Sequence, residues 1–107
     1  MAALLWVLSL LPDQSSAAGL YRQTAGLLAS IGDSPCFVEL TVADQSLATD
    51  VPNGPLPVRA LAYGSDEQPV GEVLVWTTDG LLSALEFGWV TEDQPEDLPF
   101  PQQLRAG

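Results

Sequence analysis

Hydrophobic and polar positions change their period partway along this chain of 107 residues. Leu4, Leu5, Leu8 and Leu11 recur at helical spacing, and Pro12 closes that first short helix. Asp13 then stands where an N-cap carboxylate accepts hydrogen bonds from the unpaired amides of a second helix. Leu20, Thr24, Leu27, Leu28 and Ile31 make one stripe, which predicts a helix running to Gly32 as its left-handed stop. Gly19 and Gly26 fall inside that helix on roughly one face, each costing up to about 1 kcal/mol relative to Ala. Either they permit close approach of helix to sheet, or they are neutral.

After Pro35 the period becomes two. Cys36, Val38, Leu40 and Val42 alternate with Phe37, Glu39 and Thr41, the pattern of a strand with one apolar face. Residues 44–57 read as loop, punctuated by Asp50, Pro52, Asn53, Gly54, Pro55 and Pro57. Val58 to Tyr63 is a second strand, Gly64 to Pro69 a polar turn, and Val70 to Thr78 a third strand. Asp79-Gly80 tolerates the two positive φ angles of a type I′ turn and predicts a tight hairpin. An unbulged turn pairs Thr78 with Leu81, Trp76 with Ser83, Leu74 with Leu85 and Val70 with Trp89. On the other face it pairs Thr77 with Leu82, Val75 with Ala84, Val73 with Glu86 and Gly71 with Gly88. Both faces are largely apolar, so one goes under the helices and the other needs loops, the tail or a partner.

Residues 91–107 carry Pro95, Pro99 and Pro101 among acids and glutamines, which predicts an extended tail tacked onto the exposed sheet face by Leu98 and Phe100. The expected architecture is α+β, with N-terminal helices packed on a mostly antiparallel sheet of about four strands and an extended proline-rich C-terminal tail. Length allows a single domain over 1–107, helical in 1–32, sheet in 36–90 and tail in 91–107.

Charge sharpens this picture. Fourteen carboxylates face three arginines, with no lysine and no histidine, for a net charge of −11. Nucleic acid and anionic membrane are poor partners for such a surface, because phosphate binding depends on Lys and Arg. A basic protein surface would be steered toward it; solubility alone is the plainer reading of the acidity. Cys36 is the only cysteine, so no intramolecular disulfide forms, which leans toward a reducing compartment. Ala2 to Leu11 has the length of a signal-peptide core and Ser16-Ala17-Ala18 resembles a cleavage region, yet no basic residue precedes Arg22. A short buried helix in a cytoplasmic protein is the expectation, with secretion through residues 1–18 as the alternative.

The missing side chains also restrict chemistry. Without His or Lys no Ser-His, Cys-His or Ser-Lys nucleophile can be assembled, and zinc sites lack their ligands. No glycine loop of the phosphate-cradling kind occurs, Gly71 and Gly88 reading as close-contact strand glycines. Cys36 keeps phase with Val38 and Leu40 and reads as a packed thiol. The acidic stretch with Glu92 and Asp93 lacks a calcium-loop spacing, so no cofactor or metal is expected. Glu39, Glu72 and Glu86 lie in predicted strands, where two facing carboxyls serve as acid and base. Glu86, among Val73, Val75 and Ala84, is either a carboxyl of raised pKa or a partner of Arg59. Trp76 and Trp89 are either core or anchors for a partner, core being favoured.

The segment GEVLVWTTDGLLSALE, Gly71 to Glu86, and the following GWVTEDQPEDLPFPQQLR resemble the C-terminal half of a family of small bacterial, actinobacterial-type proteins. The resemblance rests on Leu82, Leu85, Glu86, Trp89, Glu92, Asp93, Pro95, Pro99, Pro101 and Leu104, over about the last 40 residues. It implies the hairpin-and-tail fold and attaches no established activity. Some relatives look cysteine-rich where this chain has only Cys36, so a metal or redox role does not transfer.

Three functional expectations follow. The first is a non-catalytic, immunity- or inhibitor-like domain that binds a basic or apolar protein surface through Glu86, Trp76, Trp89, Glu92 and Asp93. The second is a small carboxylate-based enzyme or ligand-binding domain centred on Glu86. The third is a homo-oligomer in which the uncovered sheet face pairs with itself.

Overall fold

The computed structural model describes residues 2–32 and 34–107, with Met1 and Asp33 outside that description. Among the described residues two α-helices lie against a seven-stranded antiparallel sheet. In chain order these are α1 (Ala2–Leu8), α2 (Gln14–Gln23), β1 (Leu28–Ile31), β2 (Phe37–Thr41), β3 (Gly54–Pro55), β4 (Ala60–Tyr63), β5 (Pro69–Thr78), β6 (Leu81–Trp89) and β7 (Leu104–Ala106), with short 3-10 turns at Gln45–Leu47 and Pro101–Gln103. The sheet runs β1-β2-β6-β5-β4-β7, and β3 joins the far end of β5. The α+β class and the antiparallel sheet are as expected, but the strands are more numerous than four.

The three added strands, β1, β3 and β7, are short, and each forms by pairing with another strand. The largest difference lies at Leu28–Ile31, predicted as the last turn of α2 and found as edge strand β1. Helix α2 stops at Gln23, where the Thr24 hydroxyl donates to the Tyr21 carbonyl at 2.6 Å. Gly26 then adopts φ +70°, so this glycine, not Gly32, reverses the chain. The freed segment pairs with β2 in a regular register from Leu28 opposite Thr41 to Ile31 opposite Val38. Of the predicted helical stripe only Leu20 is buried. Tertiary pairing has overridden a helical apolar period that was real but short. The tail likewise ends in β7, which pairs with β4 as the opposite edge, and Gly54–Pro55 in the predicted loop pairs with Thr77 and Trp76.

Elsewhere local chemistry acts as the pattern implies. Asp13 caps α2, accepting from the Ser15 amide at 3.0 Å. Leu4, Leu8 and Leu11 of the first helical turn-and-stop are buried, with Ala3 and Val7, whereas Leu5 stays exposed. Cys36, Val38, Leu40 and Val42 all point into the core. Full burial of a Leu or Val side chain contributes roughly 1.5–3 kcal/mol, so these two apolar sets supply much of the force that closes helices onto sheet.

The β5–β6 hairpin turns through Asp79 at φ 54° and Gly80 at φ 78°, as the pair predicts. Thr78 faces Leu81 and Thr77 faces Leu82, but the next pair is Trp76 with Ala84. Ser83 is therefore an extra residue, a bulge that shifts all later pairs from the unbulged register. Leu85 faces Val75, Glu86 faces Leu74 and Trp89 faces Gly71. The shift keeps Leu82, Leu85 and Phe87 in the core and turns Glu86 away from Val73 and Val75.

Candidate functional site

Helix α1 packs on β5 and α2 on β6, and both cover the same face as the buried residues of these strands. The tail was expected on the other face. Instead it joins the helices: Pro99 is buried, Leu98 packs against the core, and Phe100 is 66% exposed. Gln94 donates to the Ser34 hydroxyl, and the Cys36 thiol donates to the Pro95 carbonyl at 3.5 Å. The tail thereby closes the end of the core beside Phe87 and leaves the opposite sheet face open.

That open face is built in rows across the strands. Phe37, Glu86 and Leu74 form one row, from β2 to β6 to β5. Glu39, Ala84, Trp76 and Pro55 form the next. Gly88, Glu72, Leu61 and Arg105 form a third on the far side. Leu74, Trp76 and Leu61 are half-buried, and Phe37 is 40% exposed. Among the described residues both helices lie against the opposite face.

Trp76 and Glu86 meet at the centre of this surface. The indole Nε1 donates to the Glu86 carboxylate at 3.0 Å. Glu86 is thus neither among Val73 and Val75 nor the partner of Arg59, as the unbulged register implied. Arg59 instead pairs with Glu72 at 3.3 Å. Arg105 pairs with Glu67 and lies over the Tyr63 ring, 4.5 Å from its centroid. The two cations of the face are consequently confined to the β4–β7 side and already engaged. Glu39 and Glu86, on the β2–β6 side, have no cation within ion-pair distance among the described residues. Charge is polarised across the sheet.

The remaining sequence candidates scatter. Trp89 keeps phase with Phe87, at the end of β6, and is 38% exposed rather than core. Trp76 is also not core, only half-buried. Glu92 and Asp93 are exposed in the tail, where the Thr91 hydroxyl donates to the Asp93 carbonyl at 3.0 Å. The five candidates therefore do not form one site; Trp76 and Glu86 do.

Other depressions are open and shallow. One of about 440 Å³ runs between α2 and the 45–50 segment, lined by Asp13, Ser16, Arg22, Ser46 and Asp50. Of its acids, Asp13 is in use as the cap of α2. Hydrogen bonds from the Ser16 hydroxyl and the Ser15 amide hold the Asp13 carboxyl below its ordinary pKa, and the Ser46 hydroxyl and amide do the same for Asp44 nearby. Among the described residues no group of three His, Cys, Asp or Glu side chains is placed to hold a metal ion. No helix described is long and apolar enough to cross a membrane.

Sequence reasoning missed Gln23. It is fully buried, and its amide donates to the Leu47 carbonyl at 3.0 Å and the Gly80 carbonyl at 2.9 Å while accepting from the Leu82 amide at 2.8 Å. Thr77, also buried, donates to the Pro52 carbonyl at 2.8 Å, and Asn53 accepts from the Asp79 amide at 2.8 Å. These bonds pin the hairpin tip to α2 and to the 45–53 segment, giving the open face a rigid frame. Nothing local in the sequence marks Gln23, since polar residues in a helical stripe usually face water. Comparison with protein-family models, with curated proteins and with solved structures returns no match for this chain.

Proposed function

We propose that this chain is a non-catalytic docking module that binds a basic protein surface on its open sheet face. The observation that carries the reading is the Trp76–Glu86 pair. A large aromatic, half-buried and oriented by a hydrogen bond to a carboxylate without a cationic partner among the described residues, sits in an apolar field on the sheet face opposite the helices. Aromatic anchors of this kind dominate binding energy at interfaces, and a carboxylate beside them selects a cationic partner. The net charge of −11 adds long-range attraction for such a partner. Glu86 bonded to an indole, with Leu74 and Phe37 on either side, supports docking over an acid–base pair of carboxylates.

The setting we assign is the cytoplasm of a bacterium. Support comes from the single buried thiol and from the resemblance of the hairpin and tail to small actinobacterial-type proteins. Capture from native lysate at low and high salt, with wild type and Trp76→Ala in parallel, tests the function. A stoichiometric basic partner is expected, released by salt and lost with Trp76→Ala. Recovery of the chain alone as a monomer under both conditions sinks the reading.

A further inference from the structure

Among the described residues strand β1 is a sheet edge without any of the usual protection. Its sequence, Leu28-Ala29-Ser30-Ile31, holds no charge, proline or bulge, and all four residues are exposed, Leu28 at 67% and Ile31 at 66%. Edges of this kind pair with further strands unless Lys, Pro or a covering element blocks them. The other edge, β7, carries Arg105.

A depression lies on either side of β1. On the open-face side one of about 330 Å³ is lined by Ser30, Phe37 and Glu39. On the helix side one of about 340 Å³ is lined by Ile31, Phe100, Glu96 and Asp97. Both combine an exposed phenyl ring with carboxylate and hold no cation among the described residues. A strand added to β1 sends alternate side chains into the two depressions. Arg or Lys suits each of them, its stem on the ring and its charge on the acid.

We infer that β1 captures an extended, arginine- or lysine-rich segment of a partner by strand addition. The inference rests on the docking reading only for the positive charge of the partner. A second copy is a poorer occupant: it would bring another −11 charge and no cation to the acidic depressions on either side of this edge.

The probe is a blocked octapeptide of two Arg-Arg-Val-Val repeats, which places arginine on both faces of a strand. Its control replaces each valine by proline, keeping charge but removing ladder donors. Backbone amide shifts and hydrogen exchange are followed as each peptide is titrated into the full chain. With the first peptide, new protection of the outward-facing amides in 28–31 and shifts at 96–100 are expected, with affinity at least about tenfold above the proline control. The exposed double substitution Glu96→Gln with Asp97→Asn should weaken it about fivefold while leaving the spectrum otherwise folded. Equal binding of the two peptides, or no binding, overturns strand addition. Shifts confined to Leu74, Trp76 and Glu86 overturn it while sparing the docking reading. A peptide-free dimer in sedimentation, with the 28–31 amides already protected, assigns the edge to a second copy and also overturns it.

Discussion

The Gln23 side-chain amide donates to the Gly80 carbonyl at 2.9 Å, joining the end of α2 to the tip of a hairpin 57 residues later. The same side chain accepts from the Leu82 amide, so one buried residue serves three backbone groups. Gln23→Leu keeps the volume and strips the bonds. Gly80 retains Thr49 as donor, but the Leu82 amide and Leu47 carbonyl lose Gln23. The expected loss is about 2–4 kcal/mol in urea unfolding, because stranded buried groups bear their full desolvation cost. A loss under about 0.5 kcal/mol would mean water reaches these groups freely.

Two glycines are predicted to resist substitution, for different reasons. Gly80 has φ +78° and a Cβ there would sit 2.1 Å from the Thr49 carbonyl oxygen, whereas at Gly71 it would sit 2.4 Å from the Gly88 oxygen and the Phe87 ring. Gly80→Ala and Gly71→Ala should each cost about 1–3 kcal/mol or more. Gly32→Ala meets nothing within 4 Å and should be near neutral. Thermal melts of the three variants test the order.

Ser83 is the bulge residue, and its removal makes an unusual prediction. Deleting it leaves Thr77 opposite Leu82 and Trp76 opposite Ala84, so residues 84–89 keep their faces. The deletion variant should fold with a dispersed amide spectrum and lose only the Thr78–Ser83 hydroxyl bond and some local twist. Collapse of the spectrum would show that the bulge is needed for sheet curvature and not only for phase.

The docking reading separates charge from shape at one pair. Glu86→Gln still accepts from the Trp76 indole, so stability should stay within about 0.5 kcal/mol while partner affinity falls mainly at low salt. Trp76→Ala should weaken binding by about 2 kcal/mol or more at any salt. Calorimetric titration of the captured partner at two ionic strengths distinguishes the two effects.

Acid should erode the caps. Asp13 and Asp44 have folded-state pKa values below their ordinary ones, chiefly through the hydroxyls of Ser16 and Ser46. A lowered folded value stabilises above the unfolded pKa, about 3.9, and that contribution vanishes as pH falls through the folded value. The stability gap between wild type and the double variant Asp13→Ala with Asp44→Ala should therefore be full at pH 7 and shrink below about pH 4. Urea midpoints across that range measure it, and a gap independent of pH contradicts the assignment.

What the sequence alone determined is local in origin. The Asp13 cap, the alternation of Cys36, Val38, Leu40 and Val42, and the Asp79-Gly80 turn each follow from chemistry within a few residues, and each is present. The fate of Leu28–Ile31 was not local, because a short, largely apolar segment fits a helix end as well as a strand until β2 offers it hydrogen bonds. The face of Glu86 depended on one extra residue at Ser83, invisible to alternation because both phases of that strand are apolar. Tertiary structure decided these points, and with them the Trp76–Glu86 surface and the open β1 edge: burial and ladder pairing across distant segments outweighed the small preferences of short ones.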